Sequence, residues 1–208
     1  MYNSKPAVFA YIIVMTALTC CSGNMHKINT KSAKQDYSFS VPAGWGVEKF
    51  ALPPSFAPSI TYNGFEDIRF APGWAKPQSN EYWSYAFLWW ADGEQHINDT
   101  TLQNQLAAYY TGLVAANTKG KVIANKLIPA TAIIKQIAAA PEDAATFKGS
   151  ITMQDYMDVS LAPLTLNCIV HKKKCNGHTA LLFLLSPKGE SDTVWDALNK
   201  LHREFSCE

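Results

Sequence analysis

An α+β fold, in which a mainly antiparallel β-sheet carries two principal α-helices, is what the order of periodic segments in this sequence predicts. Three observations carry the prediction. Short segments alternate apolar with polar residues, as half-buried strands do. Two longer segments, near residues 100–116 and 191–205, repeat apolar residues at helical spacing. One of these lies in mid-chain and the other at the end, so the strands between them form a meander instead of alternating with helices.

The strand around which the rest is organised is Tyr82 to Trp90. Successive side chains of a strand point to opposite faces, so Trp83, Tyr85, Phe87 and Trp89 make one aromatic ladder. Ser84, Ala86 and Leu88 line the other face, which is shallow enough for a second layer to approach closely.

Residues 1 to 20 read as an export signal, with Lys5 as the positive start and an apolar run from Ala7 to Thr19. That run is shorter than the roughly 20 residues needed to span a bilayer. Leu18-Thr19-Cys20-Cys21 resembles the lipobox of bacterial lipoproteins, with Cys21 as the acylated residue and Cys20 as the alternative. Residues 21 to 35 are polar and aperiodic and read as a flexible tether. Residues 36 to 208 are then one globular domain. Without residues 1 to 20, basic and acidic residues balance at 17 each. A nucleic-acid binder needs a basic stripe to replace counterions, and the one basic cluster, Lys172-Lys173-Lys174, reads as a solvated loop. Hydrophobic residues make up 48% of the chain and charged residues 17%, which suits a core large enough to fold without metal or disulfide support.

Taken in order, Tyr37 to Val41 alternates as an entry strand and Pro42-Ala43-Gly44 turns the chain. Between Phe50 and Pro77, the breakers Pro53-Pro54, Pro58, Asn63-Gly64 and Pro72-Gly73 separate short extended pieces. Asn63-Gly64 predicts a hairpin joining Ser59–Tyr62 to Phe65–Phe70. Asp92-Gly93 ends the aromatic strand. A helix follows from Thr100 to Ala116, capped by Asp99 or Thr100, with Leu102, Leu106, Tyr109 or Tyr110, and Leu113 as its apolar stripe. Five strands are predicted next: 122–128, 131–137, 147–156, 164–170 and 179–185. The last, Ala180 to Leu185, is apolar on both faces, as a strand covered on both sides must be. The closing helix, Ser191 to Phe205, buries Val194, Leu198, Leu201 and Phe205.

The segment Tyr37-Ser38-Phe39-Ser40-Val41-Pro42-Ala43-Gly44-Trp45, followed by a mid-chain helix, a meander and a closing helix, resembles the PsbP-like family. That family includes exported accessory proteins and DcrB-like bacterial lipoproteins. The resemblance implies an α/β sandwich and a role in assembly, stabilisation or binding without a catalytic centre.

Chemistry-bearing motifs are few. Cys168, His171, Cys175 and His178 are donor types that zinc accepts, but their spacing is not that of a common finger. In an exported chain, one disulfide among Cys168, Cys175 and Cys207 is the preferred reading, and a metal site is not expected. The acid pairs Glu66-Asp67 and Glu142-Asp143 read as solvated surface, and His96 and His202 as isolated surface or boundary residues. No nucleophile elbow, zinc-protease motif or phosphate loop is present. Aromatic residues beside rigid turns, Trp45 and Trp74 above all, are the candidate ligand-binding residues, for a sugar, lipid or peptide. The expected function is a cofactor-free, non-catalytic lipoprotein of the bacterial cell envelope, facing the periplasm or the surface. Its expected partners are the membrane, through the lipid, and an envelope protein or small ligand. The competing expectation is an envelope hydrolase.

Overall fold

Residues 36–120 and 126–207 are described by the computed structural model. The export signal, Cys20, Cys21 and the tether lie outside the described residues. In chain order the elements are β1 (Tyr37–Ser38), β2 (Gly46–Leu52), β3 (Gly64–Phe70), β4 (Tyr85–Asp92), α1 (Asp99–Thr118), β5 (Thr131–Ile137), β6 (Ala145–Gln154), β7 (Pro163–Cys175), β8 (His178–Ser186), α2 (Val194–Glu204) and β9 (Ser206–Cys207). Seven strands form one sheet in the order β2-β3-β4-β8-β7-β6-β5, and every neighbouring pair is antiparallel. β1 and β9 form a separate two-stranded pair. The fold class is α+β, as the element order predicts.

The aromatic strand occupies the middle of the sheet, beside β8. The strand begins at Tyr85 and not at Tyr82, because Trp83 takes a left-handed backbone; Tyr85, Phe87 and Trp89, with Trp83 beside them, face the α1 side, where α1 contributes Leu102, Leu106, Tyr109, Tyr110 and Val114. Phe87 stacks on its cross-strand partner Phe183 with centroids 4.3 Å apart. The opposite face, with Ala86, Leu88 and Trp90, meets Val194, Trp195, Leu198 and Leu201 of α2. Small Ala86 and Ala180 let that helix approach closely. Burying each large apolar side chain contributes roughly 1.5–3 kcal/mol, so the two cores make β4 and β8 the best-stabilised strands of the sheet.

Several local expectations are corrected. Asn63-Gly64 does not close a hairpin with Ser59–Tyr62, which is not a strand. The partner of β3 is β2, paired from Gly46↔Phe70 to Leu52↔Gly64 across the Pro-rich connection. Gly64 is required for another reason: a Cβ there would sit 2.0 Å from the Trp90 carbonyl oxygen of the neighbouring strand. β2 escapes sequence reading because it is an edge strand with Glu48 and Lys49 exposed, so its pattern is mostly polar. The entry strand is confined to β1, and Val41 is exposed. Of the predicted strand 122–128, residues 122–125 lie outside the described residues and 126–128 join no strand. The cap of α1 is Asn98, whose side chain accepts from the Thr101 amide. The closing helix begins at Val194 and not at Ser191, with Thr193 as its N-cap, and the Val194 amide donates to the Asp192 carboxylate at 3.0 Å. Finally, the lysine run is part of β7, not a loop. Lys172 donates to the Gln95 carbonyl and Lys174 pairs with Glu94, while the alternation of the strand buries Lys173 on the α2 side.

Candidate functional site: an aromatic cleft

The α1 helix packs chiefly over β5 and β6 and reaches β4 with Tyr109, which leaves the α1-side face of β2, of the outer part of β3 and of the start of β4 to be covered by loops. Alternation along these strands turns Phe50, Ile68, Phe70 and Tyr85 toward that uncovered face. The connection before β3 supplies Phe56, the one before β4 supplies Trp74 and Trp83, and the one after β6 supplies Tyr156. With Tyr109 and Leu113 of α1 these residues wall a cleft of about 390 Å³. Eight of its twelve lining residues are aromatic, and Glu48 at the rim is the one charged side chain among them.

The walls are held by polar bonds behind the rings. Trp83 has a left-handed backbone, φ +55°, a conformation that bulky residues rarely adopt. Its amide donates to the Trp74 carbonyl at 2.8 Å and its indole Nε1 to the buried Asp155 at 3.0 Å. The same carboxylate accepts the Tyr82 hydroxyl at 2.6 Å and the Met157 amide at 2.9 Å. Burial and the Asp155 contact push the Tyr82 phenol up to about 12. Trp74 stacks on Phe70 with centroids 4.2 Å apart and meets Trp83 and Tyr85 edge-on, so its half-buried ring forms a preset side of the cleft.

Behind the cleft floor lies Glu66, fully buried. The Tyr109 hydroxyl lies 2.7 Å from its carboxyl and the Trp89 indole donates to it at 3.0 Å. Burial outweighs these bonds and pushes Glu66 up to about 8. Asp67, its neighbour, points to the opposite face, where it pairs with Arg69 and accepts the Tyr37 hydroxyl at 2.8 Å. Neither acid is solvated surface. Tyr109 and Trp89 for Glu66, and Tyr37 for Asp67, come from far along the chain, which a local reading of the pair does not reveal.

The two singled-out tryptophans part company. Trp74 lines the cleft, whereas Trp45 packs at the edge of the α2-side core. The cysteines and histidines of the zinc-type set are not brought together. Along β7, Cys168 faces the α1-side core and Cys175 the α2-side core. Cys175 is joined to Cys207 by a disulfide, and Cys168 is a buried free thiol that burial pushes well above its ordinary range. His178 stacks on Trp90 at 4.7 Å and its Nδ1–H donates to the Asn176 carbonyl at 3.0 Å. The tight Asn176-Gly177 turn, with Gly177 at φ +72°, fixes this separation.

No family model and no curated protein sequence matches the chain. Among solved structures, the solution structure of cyanobacterial PsbP (CyanoP) from Synechocystis sp. PCC 6803 is similar at 10% sequence identity, with a TM-score of 0.43, over 85% of this chain and 89% of that one. The likeness is one of fold-level arrangement and assigns no family.

Proposed function

We propose that this chain is an exported envelope lipoprotein, anchored through Cys21, whose domain captures a small ligand with a flat apolar face in the aromatic cleft. The observation that carries the reading is the cleft itself: a concave, largely aromatic surface whose rings are fixed by bonds behind them. Preset aromatic walls offer large contact area at low entropic cost. Tyr156 adds a hydroxyl, and Asn117 and Glu48 add polar groups at the mouth, which orient a ligand without supplying a nucleophile and base in contact.

The test is a screen of sugars, fatty acids and aromatic peptides by intrinsic tryptophan fluorescence, followed by titration of the best binder. Trp74→Ala is expected to weaken binding at least tenfold while the circular dichroism spectrum stays unchanged. Trp45→Ala, remote from the cleft, is the internal control and keeps wild-type affinity. Equal losses in both variants, or turnover of the bound compound by the purified protein, would reject this reading and favour the hydrolase. Anchoring is checked separately by fatty-acid labelling in cells, which Cys21→Ser is expected to abolish.

A further inference from the structure

On the other side of the sheet, three residues far apart in sequence meet in a buried cluster. Asp143 comes from the connection between β5 and β6, His171 from the α2-facing side of β7, and His202 from the last turn of α2. Asp143 Oδ2 lies 2.7 Å from His171 Nδ1, and Oδ1 lies 3.2 Å from His202 Nε2. The two imidazoles stack with centroids 3.4 Å apart and planes 12° from parallel. Thr146 donates to Asp143 Oδ2 at 2.6 Å. The Asp143 side chain is fully enclosed, and the rings of His171 and His202 are 7% and 14% exposed. His171 and His202 line a surface depression of about 510 Å³ together with Glu142, Lys173, Asn199 and Arg203, and Asp143 lies behind them.

We propose that Asp143, His171 and His202 bind one divalent cation of the zinc class, with an open coordination position toward the depression. One carboxylate and two imidazoles are a donor set that zinc accepts, and one donor atom from each residue lies within 4.8 Å of the others. Metal–ligand bonds of about 2.0–2.1 Å in tetrahedral array place donors roughly 3.3 Å apart. The observed 2.7 and 3.2 Å separations run to different oxygens of Asp143, and the stacked rings must splay apart to bring both nitrogens to one ion.

The helix dipole agrees: His202 stands at the C-terminal end of α2, where positive charge is favoured.

Hydrogen bonding alone leaves the cluster incomplete, because His171 Nε2 is buried without a partner. Binding through the nitrogens that face Asp143 shifts each ring proton to the far nitrogen, and on His171 that nitrogen, Nε2, must then gain a water as acceptor. With Asp143 as its one anionic ligand, the ion keeps a positive charge. Lys173, 3.5 Å from Glu142, and Arg203 lie at the rim. The open position therefore takes a water, hydroxide or anionic group.

The experiment is titration of the whole protein with zinc chloride against a chromophoric chelator, repeated with cobalt to read visible absorption. The wild type is expected to bind one equivalent, to show the intense visible bands of a four-coordinate cobalt site, and to melt higher with zinc present. His202→Ala, at the most exposed position of the three, is expected to lose at least about 100-fold in affinity and to lose the cobalt bands. His178→Ala, a histidine outside the cluster, keeps both. Should Asp143→Asn fail to fold, His202→Ala still decides the matter. Zinc affinity and cobalt spectrum unchanged in His202→Ala, or abolished in His178→Ala, would overturn the site, as would a wild type that binds neither metal.

Discussion

Glu66 shows how far a single side chain can depart from what its neighbours in sequence suggest. Beside Asp67 it has the look of a solvated acid, yet it is enclosed behind the cleft by Tyr109 and Trp89. Nothing within a few residues signals this, because the partners lie 43 and 23 positions away. Its folded value of about 8 stands above the ordinary 4.5, so the folded state holds a proton that the unfolded chain releases across that interval. Stability contributed by the neutral carboxyl is therefore full below about pH 4.5 and falls progressively as pH rises toward 8. Glu66→Gln keeps a carbonyl oxygen for the Trp89 indole, offers its amide N–H to the Tyr109 hydroxyl oxygen, and removes the titration. Thermal melts are expected to show a decline in the wild type between about pH 5 and pH 8 and a much flatter profile in the variant. Parallel profiles for the two proteins would mean that Glu66 is ionised throughout.

At the scale of elements, legibility followed periodicity. The aromatic ladder, both helices and the fully apolar β8 were readable because each repeats a clear pattern over many residues. β2 was not, since an edge strand with one wet face carries charged residues where a central strand has apolar ones. The Asn63-Gly64 signal was misleading: the glycine serves close approach to Trp90, not a turn between adjacent strands. The cysteine reading narrowed three candidates to one bond that strand alternation explains, since Cys168 and Cys175 point to opposite faces of β7. The Cys175–Cys207 bridge closes 32 residues, including β8 and α2. Cys207→Ser is expected to cost about 3 to 4 kcal/mol on the chain-entropy estimate, measured by urea unfolding with and without reductant. Alkylation of the wild type without reductant should label Cys168 only after unfolding, because the thiol is buried and stays protonated.

For the whole molecule, the α+β layout was legible and the sites only in part. Trp74, singled out for its place beside a rigid turn, lines the cleft, while Asp143, read as surface, and His202, read as a surface or boundary residue, meet only because a connection, a strand and a helix converge. The two cores lie on opposite faces of one sheet and share β4 and β8, so neither is expected to melt alone. Leu106→Ala on the α1 side and Leu198→Ala on the α2 side each remove a fully buried side chain, at a cost of roughly 2–5 kcal/mol. In both variants tryptophan fluorescence and far-ultraviolet circular dichroism are expected to give a single coincident transition, shifted to lower temperature. Separate transitions in either variant would show that the layers unfold independently.

The short pair of β1 and β9 has a mechanical consequence. Tyr37 and Ser38 are bonded to Cys207 and Ser206, and the carbonyls of Phe39 and Ser40 accept from Arg69 of β3 at 2.9 and 3.0 Å. Tension arriving along the chain from residue 36 is thus carried first by a two-residue ladder whose far strand is covalently riveted to β7. Load that would peel the entry segment away is passed through the bridge and the guanidinium into the middle of the sheet, and the wall of the cleft lies on the opposite face from this line of force.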